Sequence, residues 1–511
     1  MVATRDDTEV PHREFSISEP DYDPNHENLD GPCNTEKLSS GGLSNSDSPR
    51  ASADQYWAMH DARHWKPAYK LAISLGAIAS YFSVTLATSI YIASIPGVMQ
   101  EFGISLTLAI SPLTFYAMGF VIGPMCTSAF SEEFGRRYIY KTSLLLHVVF
   151  TIVGGSSHNF RTLAVARAVC GIVGSPCVTV FAGVLNDMWL PTEKAGSAIF
   201  AIYGIMGAVA AEIGPVAGES IVKDRGWRWS FWLTSIVVGA CFLAMVWVPE
   251  TYGPELQRKH LGLPRRKFKG AFGPVFVRPV KMLLLEPVIL PTAAIVTMGQ
   301  IVVFVFYASW PIILEREYNF SAYQVGLAFL PLMIGSLLTL PVLSLTMKGR
   351  QMSDPQPEDT LTAAMIAGIL LPVSLFWRIN RKNRVAWTAR SSIHWICPLI
   401  GGAVYGLGFA LSQLVYPLYK NEVYGAELGA SSFAIDVAMR YTFSCVFPLF
   451  TVQMVNKITF GWTMSLCAFV LLALAPVPFI LKRYGPILRA KSRYVRKRSL
   501  DSERDNMMNR P

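Results

Sequence analysis

The chain has 511 residues, 52% hydrophobic and only 16% charged, against about a quarter charged in soluble proteins, and its mean hydropathy is +0.35. A soluble chain of this length would need several separate cores, yet the apolar residues run in blocks of about 20, enough to cross a bilayer as helix, which excludes a soluble enzyme or binding domain. The net charge of +10 lies mainly between apolar blocks and at the C-terminus, where it suits topology and anionic lipid rather than nucleic acid.

Residues 1–64 are rich in Asp, Glu, Ser, Asn, Gly and Pro and lack apolar periodicity, so they are expected to form a disordered tail. With no cleavable leader in view, the first apolar block is read as an internal start signal. The apolar blocks predict spans near 70–93, 107–128, 138–157, 162–185, 197–221, 229–248, 288–311, 324–345, 362–378, 394–417, 430–454 and 462–481. This is an all-α membrane protein of twelve transmembrane helices. The polar, basic connection 249–287 divides it into a first six-helix half over 65–248 and a second over 288–481, with a basic tail over 482–511.

Arg136, Arg137, the central connection, Lys348, Arg350 and the C-terminal tail fall on one side, which the positive-inside tendency makes cytoplasmic along with both termini. A multi-pass protein of the cell membrane follows, with the lipid bilayer as its surroundings. Arg378, Arg381, Lys382, Arg384 and Arg390 break this pattern, carrying basic charge onto the outer connection between spans nine and ten. The eight cysteines, Cys33, Cys126, Cys170, Cys177, Cys241, Cys397, Cys445 and Cys467, lack paired metal spacing, and all but Cys33 lie in apolar blocks. Neither a disulfide framework nor a metal site is expected.

Charges inside spans are costly and face protein or water-filled cavities. Arg167 in the fourth span, Glu212 in the fifth, and Asp436 with Arg440 in the eleventh are of this kind. Gly207, Gly214 and Gly218 share one face of the fifth span at 100° per residue, where another helix can approach, and Pro215 can bend it. Glu212 lies about 160° around from Gly214 and is expected to face the interior, either binding a proton or cation or tying helices together with Arg167. Asp436 and Arg440, four apart, read as a local ion pair, or as a switch in which protonation of Asp436 frees Arg440. Gln300, Tyr307, Gln413 and Tyr416 are candidate cavity residues, Trp310 among the aromatics beside them. Asn319-Phe320-Ser321 is a glycosylation sequon on an outer connection.

After the second span the chain reads from Gly123 through Glu132-Glu133-Phe134-Gly135-Arg136-Arg137, a reversal for which Gly135 is suited. Asp187, at the inner end of the fourth span, is the natural partner of Arg136 or Arg137. At these residues the chain resembles the major facilitator superfamily, and within it the fungal twelve-span drug:proton antiporters. Arg167 to Gly174 is similar to the family's fourth-span arginine motif. Gly214-Pro215-Val216-Ala217-Gly218 is similar to its fifth-span antiporter motif, although Glu219 stands where a second terminal glycine is frequent. The resemblance runs on through Gly226 to Trp232, Pro249 to Tyr252, Arg278-Pro279, Glu286-Pro287, Ile393 to Ile396 and Phe447 to Phe450, covering about residues 65–485.

Two departures stand out. Asp436 occupies a position that is often asparagine in this group, and Arg378–Val385 looks inserted, either as a real loop or as an error in the gene model. The resemblance implies two pseudo-symmetric six-helix bundles that rock about a central cavity. It implies a small-molecule substrate, a drug, toxin or fungal secondary metabolite, exported against protons by a monomer that needs no cofactor. Glu212, Asp436, Arg167 and Arg440 would handle the proton. Gly123, Glu132, Gly135, Arg136, Arg137 and Asp187 would gate the cytoplasmic side, and the glycine face of the fifth span would help to seal the other. The alternatives are a polyamine or organic-cation transporter and a non-transporting membrane sensor or scaffold. No enzymatic role is expected.

Overall fold

In hydrocarbon every backbone N–H and C=O must be satisfied within the protein, so long apolar blocks fold as helices. The computed structural model describes residues 61–190, 193–260, 280–348, 356–376, 394–492 and 494, and they are helical with no strand among them. The helices are α1 (Pro67–Phe102), α2 (Leu106–Phe134), α3 (Arg136–Gly155), α4 (Phe160–Met188), α5 (Lys194–Arg225) and α6 (Arg228–Met245). A second set follows: α7 (Ile289–Tyr318), α8 (Ala322–Met347), α9 (Pro357–Phe376) and α10 (Ile396–Gly425). The last apolar stretch, Ser432–Lys491, has 60 residues. As one helix it would be about 90 Å long, about three times the hydrocarbon thickness. Its backbone breaks at Thr459 (φ 69°, ψ 157°), which divides it into α11 (432–458) and α12 (460–491). Eleven stretches among the described residues are thus long and apolar enough to span, and the last is divided.

Several boundaries differ from the sequence reading. The first span does not stop near 93. A 3-10 turn at Ile90–Ser94 leads into a further helix, Ile95–Phe102, because Pro96 has no N–H to continue the α pattern. The tenth runs past 417 to Gly425, and the last past 481 to Lys491. Part of the central connection is helical, at Gly253–His260. The leading tail up to residue 60, residues 261–279, Arg350, and Arg378–Val385 lie outside the described residues, as does the side chain of Lys348.

Two features repeat with a six-helix shift. Gly119 of α2 meets the backbone of Gly171 and Ile172 in α4, and Gly171 in turn meets the Tyr116 carbonyl. Gly335 of α8 meets the Ala403 carbonyl in α10, and Gly406 meets that of Leu332. Each crossing brings two backbones together where any side chain would overlap them. The second feature is a tight reversal that turns on one residue of positive φ, Gly226 between α5 and α6 (φ 84°) and Thr459 between α11 and α12 (φ 69°). Within the first half α1 packs on α5 and α6, and α3 on α4 and α6; within the second, α7, α8 and α9 pack on the α10–α12 stretch. Gly135 and Asp187 mark one end of the molecule, here the basic end. Gly226 and Thr459 mark the far end.

Candidate functional site

At the basic end Gly135 (φ 85°) forms the reversal between α2 and α3. Glu250, beyond α6, accepts from the free N–H groups that open α3, those of Arg136 (2.9 Å) and Arg137 (3.0 Å). A carboxylate at a helix N-terminus satisfies orphan donors and complements the dipole. The Arg136 side chain turns to Asp187, with Nε 2.7 Å from Oδ2 and Nη2 donating to Oδ1 at 3.0 Å. Thr251 Oγ1 also donates to Asp187, at 3.0 Å. The guanidinium rests on Gly183, where a Cβ would overlap it. Asp187 is therefore the partner of Arg136 and ties α3 to α4. Arg137 is exposed. Gly123 does not belong to this end: it sits within α2 against Ser175 and the Ile172 carbonyl of α4. The Glu132 side chain lies outside the described residues. On the neighbouring short helix, burial pushes the Glu255 carboxyl up, but Arg258 and Lys259 outweigh it and hold it below its ordinary value.

Arg167 does not pair with Glu212. It donates to the carbonyl of Ala87 at 2.8 Å and toward that of Thr88 at 3.4 Å, where α1 loosens toward its 3-10 turn. Tyr116, Tyr91 and Phe231 surround the guanidinium with rings at 4.3, 4.9 and 5.8 Å. This buried cation is held by carbonyl dipoles and π faces, and it fixes α1 against α2, α4 and α6.

The glycine face of α5 lies against α1. Gly207 meets Tyr81, Gly214 meets Ser89 and the backbone of Ile90, and Gly218 meets Ala93 and Ile90. Pro215 has a more specific consequence. Lacking an N–H, it leaves the carbonyl four residues earlier without its helical donor. That carbonyl belongs to Ala211, and Tyr307 of α7, in the other bundle, donates to it at 2.6 Å.

Beside it Glu212 is fully buried in the seam between the bundles. Ser336 Oγ of α8 lies 2.8 Å from Glu212 Oε1 and 3.2 Å from the Gly406 carbonyl of α10. Glu212 Oε2 has no hydrogen-bond partner among the described residues. Other links between the bundles run from Thr114 Oγ1 to the Cys445 carbonyl (2.9 Å) and between Gln453 and Thr107 (2.9 Å). Phe120 packs on Tyr441 with ring centroids 4.8 Å apart. These links lie at mid-depth or toward the far end.

Asp436 is buried and its ion-pair partner is Lys420 of α10, not Arg440. Arg440 donates instead to Gln413 Oε1, and Gln413 Nε2 points to the Val296 carbonyl at 3.4 Å. The local Asp436–Arg440 ion pair is thus replaced by two bonds from α11 to α10. Helical spacing puts residues i and i+4 on one face, but a lysine on a neighbouring helix reaches the carboxylate from within the bundle. Lys420 went unread because it follows the last apolar residues of the tenth block and looks like polar flank. Its only sequence signal is Asp436, for which Arg440 four residues on offers a nearer partner in the sequence.

Gln300 is buried, and Tyr416 is buried with no partner for its hydroxyl among the described residues. Asn319 is exposed in the two-helix turn after α7, in the left-handed region at φ 51°. The described free cysteines are Cys170, Cys177, Cys241, Cys397, Cys445 and Cys467. No group of three metal-ligating side chains occurs among the described residues.

Residues 77–416 match the Major Facilitator Superfamily. The chain is 30% identical to the MFS transporter prlG of Fungal sp. (strain NRRL 50135), over 84% of this chain and 94% of that one. It is 28% identical to the efflux pump radE of Floropilus chiversii, over 84% and 83%. It is also 28% identical to polyamine transporter 4 of Saccharomyces cerevisiae, over 93% and 76%. Among solved structures, a D-xylose–proton symporter aligns with a TM-score of 0.59 over 80% of this chain and 97% of that chain. At 14% identity that likeness speaks to the fold alone.

Proposed function

This chain belongs to the Major Facilitator Superfamily, and from that premise we propose a twelve-span carrier that exports a small organic compound by alternating access, driven by protons. The basic end faces the cytosol with both chain termini, as the positive-inside tendency favours, and the protein resides in the cell membrane. Names of relatives such as the efflux pump radE support the direction of transport.

The observation that carries the proton step is the shared hydroxyl of Ser336. It has a single proton and two acceptors within reach, Glu212 Oε1 and the Gly406 carbonyl. With Glu212 ionised the hydroxyl serves only one of them, and a carboxylate in the seam stays poorly solvated. With Glu212 protonated, its O–H donates to Ser336 and Ser336 donates to Gly406, so the chain of bonds is complete. The closed seam therefore favours a proton on Glu212. Parting the bundles at the far end breaks the bond to α8 and admits water, through which Glu212 takes its proton from the outside as that end recloses. When the basic end opens, solute entering from the cytosol displaces that proton inward, so each export step carries a proton down its gradient.

Purified protein in proteoliposomes with an imposed pH gradient tests this. Glu212→Gln is expected to lose gradient-driven accumulation at least about tenfold, while solute exchange, which needs no net proton movement, persists. Full gradient-driven accumulation in the variant would refute the assignment. The organic-cation alternative has similarity to the yeast polyamine transporter in its favour, but Asp436, which would have served a cation, is already neutralised by Lys420.

A further inference from the structure

At mid-depth between the bundles, Arg440 of α11 is 8% exposed. Its Nη1 donates to Gln413, while its buried Nε has no hydrogen-bond partner among the described residues. An unpaired donor on a guanidinium taken out of water is costly, and a ligand acceptor relieves that cost. The neighbouring charges leave the position positive. Lys420 and Arg440 supply two cations and Asp436 one carboxylate, and that carboxylate is closed onto Lys420 with both side chains at 1–2% exposure. Glu212 offers no compensation, since its bond is to Ser336 in the seam.

The surroundings are aromatic and come from both bundles. Arg440 lies over the Tyr441 ring at 5.0 Å, and Tyr441 packs on Phe120 of α2. Tyr81 of α1, within electrostatic reach of both Arg440 and Tyr441, packs against Tyr203 of α5 at 4.8 Å. Facing aromatic surfaces from two bodies that move apart make a slot for a flat ring. The guanidinium beside them is permanently charged and shaped to take a carboxylate by two parallel hydrogen bonds.

Resting on the transport reading above, we infer that the cargo is a planar organic anion, a ring bearing a carboxylate. Its charge sits on Arg440 and its ring lies among Tyr81, Tyr203, Tyr441 and Phe120. Amines are disfavoured by the same surplus of positive charge.

The test uses full-length protein in nanodiscs at pH 7, with no gradient, and three probes that share one ring system: 1-naphthylacetate, 1-naphthylacetamide and 1-naphthylmethylamine. Calorimetry is expected to show the carboxylate binding about tenfold or more tighter than the neutral amide, with the amine weakest. In Arg440→Gln the carboxylate-to-amide ratio falls toward one, and in Arg440→Lys a preference for the carboxylate returns. Both variants are checked for a single symmetric peak on size exclusion, so that the lysine variant decides the question if the glutamine one unfolds. Tightest binding of the amine, equal or absent binding of all three probes, or a ratio unchanged in Arg440→Gln overturns the inference. Because no gradient is present, failure of proton-driven accumulation with this ratio intact counts against the proton step alone.

Discussion

Thr459 holds a backbone conformation (φ 69°, ψ 157°) in a region that is almost the preserve of glycine. A β-branched residue there crowds its own carbonyl. The same reversal in the first half is made by Gly226, and the Thr459 side chain is exposed, so it offers little packing in return. Thr459→Gly is expected to stabilise the protein by roughly 1 kcal/mol, read as a higher unfolding midpoint in detergent. An unchanged or lower midpoint would show that the side chain contributes something the fold does not reveal. Single residues also mark how far sequence reading reaches. Pro215 and Glu212 were legible as features of the fifth span. That Pro215 frees the carbonyl bonded by Tyr307 was derivable only in half: the freed acceptor follows from counting back four residues, whereas its donor comes from α7 and depends on packing. The Arg167 pairing with Glu212 failed for a related reason, because carbonyls at a helix irregularity compete with carboxylates for a buried cation and leave no trace in composition.

Between elements, the buried pair of Lys420 and Asp436 joins α10 to α11. Removing one partner strands a charge in a medium that cannot solvate it, at a cost of about 3–5 kcal/mol. Removing both leaves an apolar contact. Lys420→Met and Asp436→Leu are each expected to lower the thermal midpoint and yield of purified protein, and the double variant is expected to recover most of the loss. A double variant as unstable as the singles would mean that the pair has further polar partners and is more than a mutual neutralisation. Helix existence was easily read, because runs of about 20 apolar residues admit few other structures. Helix ends were not. Hydropathy halts at the first charge, yet α10 carries Lys420 inside the packed bundle because a partner waits there. The glycine crossings of α2 with α4 and of α8 with α10 were also missed, since glycines are common in apolar blocks and only their juxtaposition gives them meaning.

For the whole molecule, alternating access requires that the far end open and close. Gly326 of α8 approaches α5 closely, and a Cβ there would lie 3.0 Å from that of Glu219, so a small adjustment brings the pair within disulfide range. The double variant Glu219→Cys with Gly326→Cys is expected to form a disulfide under mild oxidation and lose transport, which a reductant restores. Transport at full rate by the crosslinked protein would show that these helices do not part during the cycle. The two-bundle plan was legible from charge asymmetry and motif order because it is written in many residues at once. The seam was not, because it is made by pairs from opposite halves, each contributing one inconspicuous group. The brevity of the described far-end turns, one to four residues at 103–105, 156–159, 226–227, 319–321 and Thr459, has a practical side. Almost no polar chain projects from these turns, so a protease acting on them finds little to cut. An antibody directed at them would have to recognise turn shape rather than a linear epitope.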